Sequence, residues 1–168
     1  MAKFVTVPAQ ATPESGAWCE LHQERPRGLL PVAARKQVAR LASAEPQWGG
    51  VVLLPGEVTH WVQVSAGEIV SFQSFLTGRL AQALGAEGAP DMETLQDAMS
   101  QPERLAGLLR SADLAGESGV ALAALMGVEL AATRAFWLGA DIRLLGEGAL
   151  ADAYEAALKA QAAWVTRA

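Results

Sequence analysis

Apolar positions are unevenly distributed along the chain, and their spacing changes period several times. Val51-Val52-Leu53-Leu54 is a short apolar run stopped by Pro55-Gly56, the pattern of a buried strand ending in a tight turn. Thr59 to Val64 then alternates, the Ala66-Gly67 turn follows, and Ile69 to Phe75 forms a third run. Three strands joined by short turns predict an antiparallel meander. Thr77-Gly78 opens a short helix, Arg79 to Leu84, which Gly85 closes. Beyond Gly88-Ala89-Pro90 the spacing becomes helical over Met92 to Met99 and again over Pro102 to Leu109, with Pro102 placed for a first turn. Ser118 to about Leu138 is apolar on nearly every face, which predicts a helix buried on several sides. Gly139 ends it, Ile142 to Leu145 predicts a last strand, and Gly146-Glu147-Gly148 turns the chain into a closing helix from Ala149 to Trp164.

The first 49 residues are different. Prolines recur there, and only Phe4 to Val7 as a strand and Pro31 to Ala44 as a helix have a readable period. We therefore divide the chain into a weakly structured or covering segment, residues 1–49, and an α/β unit, residues 50–168. Three strands, a helical stretch, a long buried helix, one strand and a closing helix are most of one ribonuclease-H-like subdomain. Trp18, Trp48 and Trp137 are candidates to cover its exposed face.

Composition narrows the function. At 168 residues and 51% hydrophobic content the chain can bury one real core. Thirteen Lys and Arg against 18 Asp and Glu give a net charge of −5, with no basic run to recruit nucleic acid or an anionic membrane surface. Cys19 is the sole cysteine, and with His22 and His60 it makes no recognisable metal set. Cys19 and His22 lie three apart in a proline-rich segment with no orienting group, a poor nucleophile pair. No basic stretch followed by an apolar run marks a signal peptide, so a cytoplasmic location is expected.

Val51-Val52-Leu53-Leu54-Pro55-Gly56, Trp61-Val62 and Phe72 through Thr77-Gly78-Arg79-Leu80 resemble, in order and spacing, the 2-dehydro-3-deoxygalactonokinases. The likeness continues at Leu125-Met126-Gly127-Val128-Glu129 and at Leu145-Gly146-Glu147-Gly148-Ala149-Leu150 through Tyr154. The resemblance implies one subdomain of an actin-like kinase fold, ATP with magnesium, and phosphorylation of a 2-keto-3-deoxy sugar acid. It also implies a missing partner: either a homodimer or a separate N-terminal kinase domain would complete the fold.

Seven residues follow as candidate nucleotide contacts: Gly56, Thr59, Thr77, Gly78, Gly146, Glu147 and Gly148. Glycine at a strand-to-turn junction lets backbone amides approach a phosphate, although the Gly56 turn is equally a plain strand turn. The family's Thr-His-Cys-Lys stands here as Glu57-Val58-Thr59-His60, so Glu57 sets a carboxylate against any phosphate and Thr59 is the residue expected to compensate. Thr77 either caps the helix or leaves its amides free for an anion, and Arg79 replaces an acidic residue of the family. Gly146-Glu147-Gly148 resembles the loop against adenine and ribose, Glu147 facing a ribose hydroxyl; a helix boundary explains it as well. The segment that should supply the general base, Arg25 to Gln37, holds no carboxylate, and no Asp-x-Gly-Ser/Thr strand occurs. The expectation is a kinase relative that is catalytically incomplete alone, a noncatalytic scaffold or regulatory domain, or one half of a split kinase. No residue is assigned a catalytic or metal-binding role.

Overall fold

A computed structural model describes residues 5–168. Its centre is the meander that the sequence predicts: β5 (Gly49–Leu54), β6 (Thr59–Ser65) and β7 (Glu68–Phe75), antiparallel throughout with a bulge at Gln63/Val64. On the other side of β5 lie β8 (Asp141–Leu144) and β9 (Trp164–Arg167), both parallel to it. With β2 (Ala9–Gln10) on the far edge, the six strands run β2-β7-β6-β5-β8-β9. Within the meander-and-crossover unit the order of strands is thus third, second, first, fourth, fifth. A smaller sheet, β1-β3-β4, is made from β1 (Val5–Thr6), β3 (Leu21–Gln23) and β4 (Gly28–Leu30).

β5 reads as a continuous apolar run because both of its faces are buried. Val51 and Leu53 face one cluster with Trp61, Met126, Leu130, Ile142, Leu144 and Tyr154. Val52 and Leu54 face another with Val62, Phe72, Leu21, Leu30 and Val38. The first layer consists of the helices α2 (Thr77–Leu84), α3 (Met92–Ser100), α4 (Leu105–Ala115), α5 (Ser118–Ala132), α6 (Arg134–Trp137) and α7 (Ala149–Ala160). The second is α1 (Val32–Ala44) with the N-terminal strands, so residues before β5 cover the β5-β6-β7 part of one face of the sheet.

Several expectations need correction. The segment before β5 contains β2, β3 and β4 in addition to the expected strand, of which residues 5 and 6 are observed and Phe4 lies outside the described residues. These short strands have no period of their own and are fixed by partners: Ala9 and Gln10 pair with Ile69 and Glu68, and the Gln23 carboxamide accepts the Phe72 amide at 2.9 Å. The long apolar helix stops at Ala132 instead of Leu138, because the buried Thr133 hydroxyl donates to the Glu129 carbonyl at 2.8 Å and the chain restarts as α6. The closing helix ends at Ala160. Ala162 takes a left-handed φ of 56°, and Trp164–Arg167 becomes β9 because pairing with β8 outweighs the alanine-rich helical pattern. Pro102 opens a 3₁₀ turn (Pro102–Arg104), and α4 then runs to Ala115, six residues past the expected Leu109.

Candidate functional site

β5 is the point from which the chain leaves in two directions, through β6 and β7 on one side and β8 and β9 on the other. In open α/β sheets, ligands bind in the crevice at the carboxyl ends of strands at such a switch point. Here that crevice is bounded by the 55–58 turn after β5, the 145–148 loop after β8, and the start of α2.

Its walls touch closely. A β-carbon at Gly78 would lie 1.9 Å from the Gly56 carbonyl oxygen, so α2 begins directly on the turn and only glycine fits. The Arg79 amide donates to the Glu57 carbonyl at 2.9 Å, which satisfies one of the helix's orphan donors with backbone. Gly146 stands 3.5 Å, measured from an ideal β-carbon, from the Pro55 ring, and Gly148 adopts a φ of 88° at the start of α7. Between α2 and α7 lies a pocket of about 320 Å³, lined among others by Gly78, Ala81, Gln82, Gly85, Ala149 and Leu150. The fold therefore sets Gly78 on Gly56 and Gly146 against Pro55, Gly78 alone of the seven predicted residues lines the pocket, and the 146–148 loop is exposed.

Thr59 and Thr77 face inward. Thr59 is fully buried and its hydroxyl lies 3.3 Å from that of Tyr154, so it does not offset the Glu57 carboxylate as the sequence suggests. That role falls to Arg79, whose guanidinium is 3.6 Å from Glu57. Both side chains are more than half exposed, which keeps the pair weak, on the order of 0–1 kcal/mol, but restores local neutrality. Thr77 neither caps α2 nor leaves its hydroxyl free; it donates to the Glu129 carboxylate.

Glu129 is what the sequence reading missed as a site residue. It is 2% exposed in the last turn of α5 and accepts from Trp61 Nε1 at 2.7 Å, from Thr77 Oγ1, and from Tyr154 OH at 2.9 Å. Desolvation pushes its pKa up while the three donors pull the other way. Burial and the neighbouring Glu129 charge raise the Tyr154 phenol well above its usual range. Each hydrogen bond to a charged acceptor is worth about 1.5–3 kcal/mol, against a burial penalty of several kcal/mol per unpaired ion. The signal for it was present: a lone carboxylate amid Ala121 to Ala132.

Elsewhere, His60 is buried and bonded to Ser74 at 2.7 Å, and desolvation lowers its pKa. Arg35, within the segment expected to hold a base, is 2% exposed and donates to the carbonyls of Gln10, Ala11 and Cys19 at 2.8, 3.0 and 2.9 Å. It pins the N-terminal segment to α1. Trp137 is buried and donates to the Leu130 carbonyl, Trp48 donates to Asp141 at 2.8 Å, and Trp18 lies under Arg35 and Lys36. Among the described residues no group of three or more His, Cys, Asp or Glu is placed to hold a metal ion, and no helix is long and apolar enough to cross a membrane.

The chain is an α/β protein built on a mixed six-stranded sheet in which β5, β8 and β9 run parallel. Residues 35–112 match the profile of the 2-keto-3-deoxy-galactonokinase family. A crystal structure from Sinorhizobium meliloti, provisionally described as a 2-dehydro-3-deoxygalactonokinase, superimposes with a TM-score of 0.80 at 20% identity, covering 99% of this chain and 67% of that one. No curated protein sequence matches the chain. The profile match covers residues 35–112, under half of the chain, and the superposition shows a shared fold.

Proposed function

We propose that the chain is the nucleotide-facing part of an ATP-dependent sugar-acid kinase, one ribonuclease-H-like subdomain of the actin-like type, acting in the cytoplasm. The observation that carries this reading is the convergence of Gly56, Gly78 and Gly146 at the carboxyl ends of β5 and β8. The strand order β7-β6-β5-β8-β9 supports the subdomain assignment.

The residues fit a nucleotide in part. The 320 Å³ pocket lined by Gly78, Ala149 and Leu150 has room for a planar base, and the exposed Glu147 lies on the preceding loop, which would face the ribose. The Gly56 turn brings Glu57 and Arg79 where phosphates would lie, a neutral pair in place of a cationic cradle. Magnesium would arrive with the phosphates, which commonly supply much of its coordination. ATP as bound substrate supplies the phosphoryl group; the chain's own residues provide the glycine-lined backbone that holds it.

A second reading, a noncatalytic or split-kinase domain, is favoured by two observations. Arg25 to Gln37 offers no carboxylate for the sugar hydroxyl proton, and α1 has no acidic residue in its first turn. The hydroxyls of Thr59 and Thr77 are already engaged. Both readings agree that the chain alone does not complete phosphoryl transfer, whose rate depends on a base, metal-bridged phosphates and alignment together. Purified protein with Mg·ATP and 2-dehydro-3-deoxygalactonate is expected to form no 6-phosphate. Turnover of about 1 per second or more, within the ordinary enzymatic range, contradicts this.

A further inference from the structure

An apolar helix such as α5 is completed most simply by another leucine, yet it carries Glu129, and among the described residues no cation lies within ion-pair distance of it. The three donors come from three different elements, and two of them adjoin the crevice. Thr77 is the first residue of α2, next to Gly78, which rests on the Gly56 carbonyl. Tyr154 lies in α7, the helix that Gly148 opens, and its hydroxyl also meets Thr59, the first residue of β6 after the 55–58 turn. Trp61 sits deeper along β6, paired with Gln73, and its ring meets the Tyr154 ring edge-on at 6.4 Å. One carboxylate thus bonds directly to the elements that begin two walls of the crevice, and through Tyr154 it reaches the third.

We propose that Glu129 is a positioning residue of the crevice, holding the start of α2 and the body of α7 at a fixed separation through Thr77 and Tyr154. The inference rests on reading the crevice as the nucleotide site. A charged acceptor suits this task because its two oxygens accept in several directions at once, so the Oε1 bond to Trp61 leaves Oε2 for both Thr77 and Tyr154. Sites whose supporting side chains are locked in this way keep their backbone geometry, and sites without them are too loose to bind well.

The three donors can be removed one at a time with little change of shape, as Thr77→Val, Tyr154→Phe and Trp61→Phe. A merely structural network predicts that all three lower the melting temperature and loosen the crevice alike. Positioning predicts a pattern instead. In Thr77→Val, amide hydrogen exchange quickens about tenfold or more at residues 56–58 and 77–80, and in Tyr154→Phe at 146–151. In Trp61→Phe both stretches keep the wild-type rate. Thr77→Ser, which retains the hydroxyl, behaves as wild type, and this control stands if the valine variant does not fold. Mg·ATP affinity falls about tenfold in Thr77→Val and Tyr154→Phe and is unchanged in Trp61→Phe. Equal loosening in all three variants, unaltered exchange in the first two, or loss of protection in Thr77→Ser overturns the proposal. If wild-type protein binds no Mg·ATP, the nucleotide reading fails, and the exchange pattern still decides the role of Glu129.

Discussion

Gly78 has no room for a β-carbon, since the Gly56 carbonyl oxygen would lie 1.9 Å away. Gly78→Ala must push α2 off the turn, and overpacking of this kind costs about 1–3 kcal/mol or more. Denaturant unfolding is expected to show that loss; a midpoint equal to wild type would mean the contact gives way freely. Glu129 makes a second prediction at the same scale. Burial raises its pKa, so the folded protein holds this proton more tightly than the unfolded chain. The stability linked to that proton is full below the ordinary glutamate range and is lost as pH rises through the raised folded value. Glu129→Gln exchanges no proton, so the wild type gains melting temperature relative to the variant as pH falls from about 7 toward about 5. A gap that stays constant, or narrows on acidification, contradicts this. The glycines of the crevice were legible in the sequence because turns advertise them. The inward commitment of Thr59 and Thr77 was not, since a hydroxyl beside a glycine turn reads the same whether it faces ligand or core, and their partners lie 95 and 52 residues away.

At the scale of elements, α5 shows how an all-round apolar helix is accommodated. It packs against α3 so closely that a β-carbon at Gly127 would come within 2.6 Å of the Leu95 carbonyl oxygen and 2.7 Å of Ala98 Cβ. Gly127→Ala is expected to destabilise by about 1–3 kcal/mol. Gly107, on α4, meets nothing within 4 Å, and Gly107→Ala should stabilise by about 0.5–1 kcal/mol through helix propensity alone. Thermal melts of the two variants should move in opposite directions; a shift of the same sign would contradict the packing of α3 on α5. The meander, α2 and the body of α5 were readable because each carries a strong period or a glycine stop. β9 was not. Trp164–Arg167 follows an alanine-rich helix with no proline or glycine between, and its identity as a strand comes from β8 alone.

For the whole molecule, the division between residues 1–49 and 50–168 separates what the sequence makes legible from what it does not, yet both sides of the sheet are buried by the described chain. Val52, Leu54, Val62, Ile69 and Phe72 are all at most 5% exposed, and they share a cluster with Leu21, Leu30 and Val38. Apolar area returned to water costs about 25 cal/mol per Å². A protein lacking residues 1–48 is therefore expected to aggregate or fail to fold when expressed; a stable, monomeric, cooperatively melting product would show that the segment only decorates the sheet. The central claim is that the glycine-walled crevice at the ends of β5 and β8 is a nucleotide site. Amide hydrogen exchange in a titration of the intact protein with Mg·ATP tests it most directly. The account predicts millimolar-range binding, in keeping with a neutral phosphate turn, with protection concentrated at residues 56–58, 78–82 and 146–150. No protection at about 10 mM ligand, or protection confined to the N-terminal segment around Trp18 and Arg35, would contradict it.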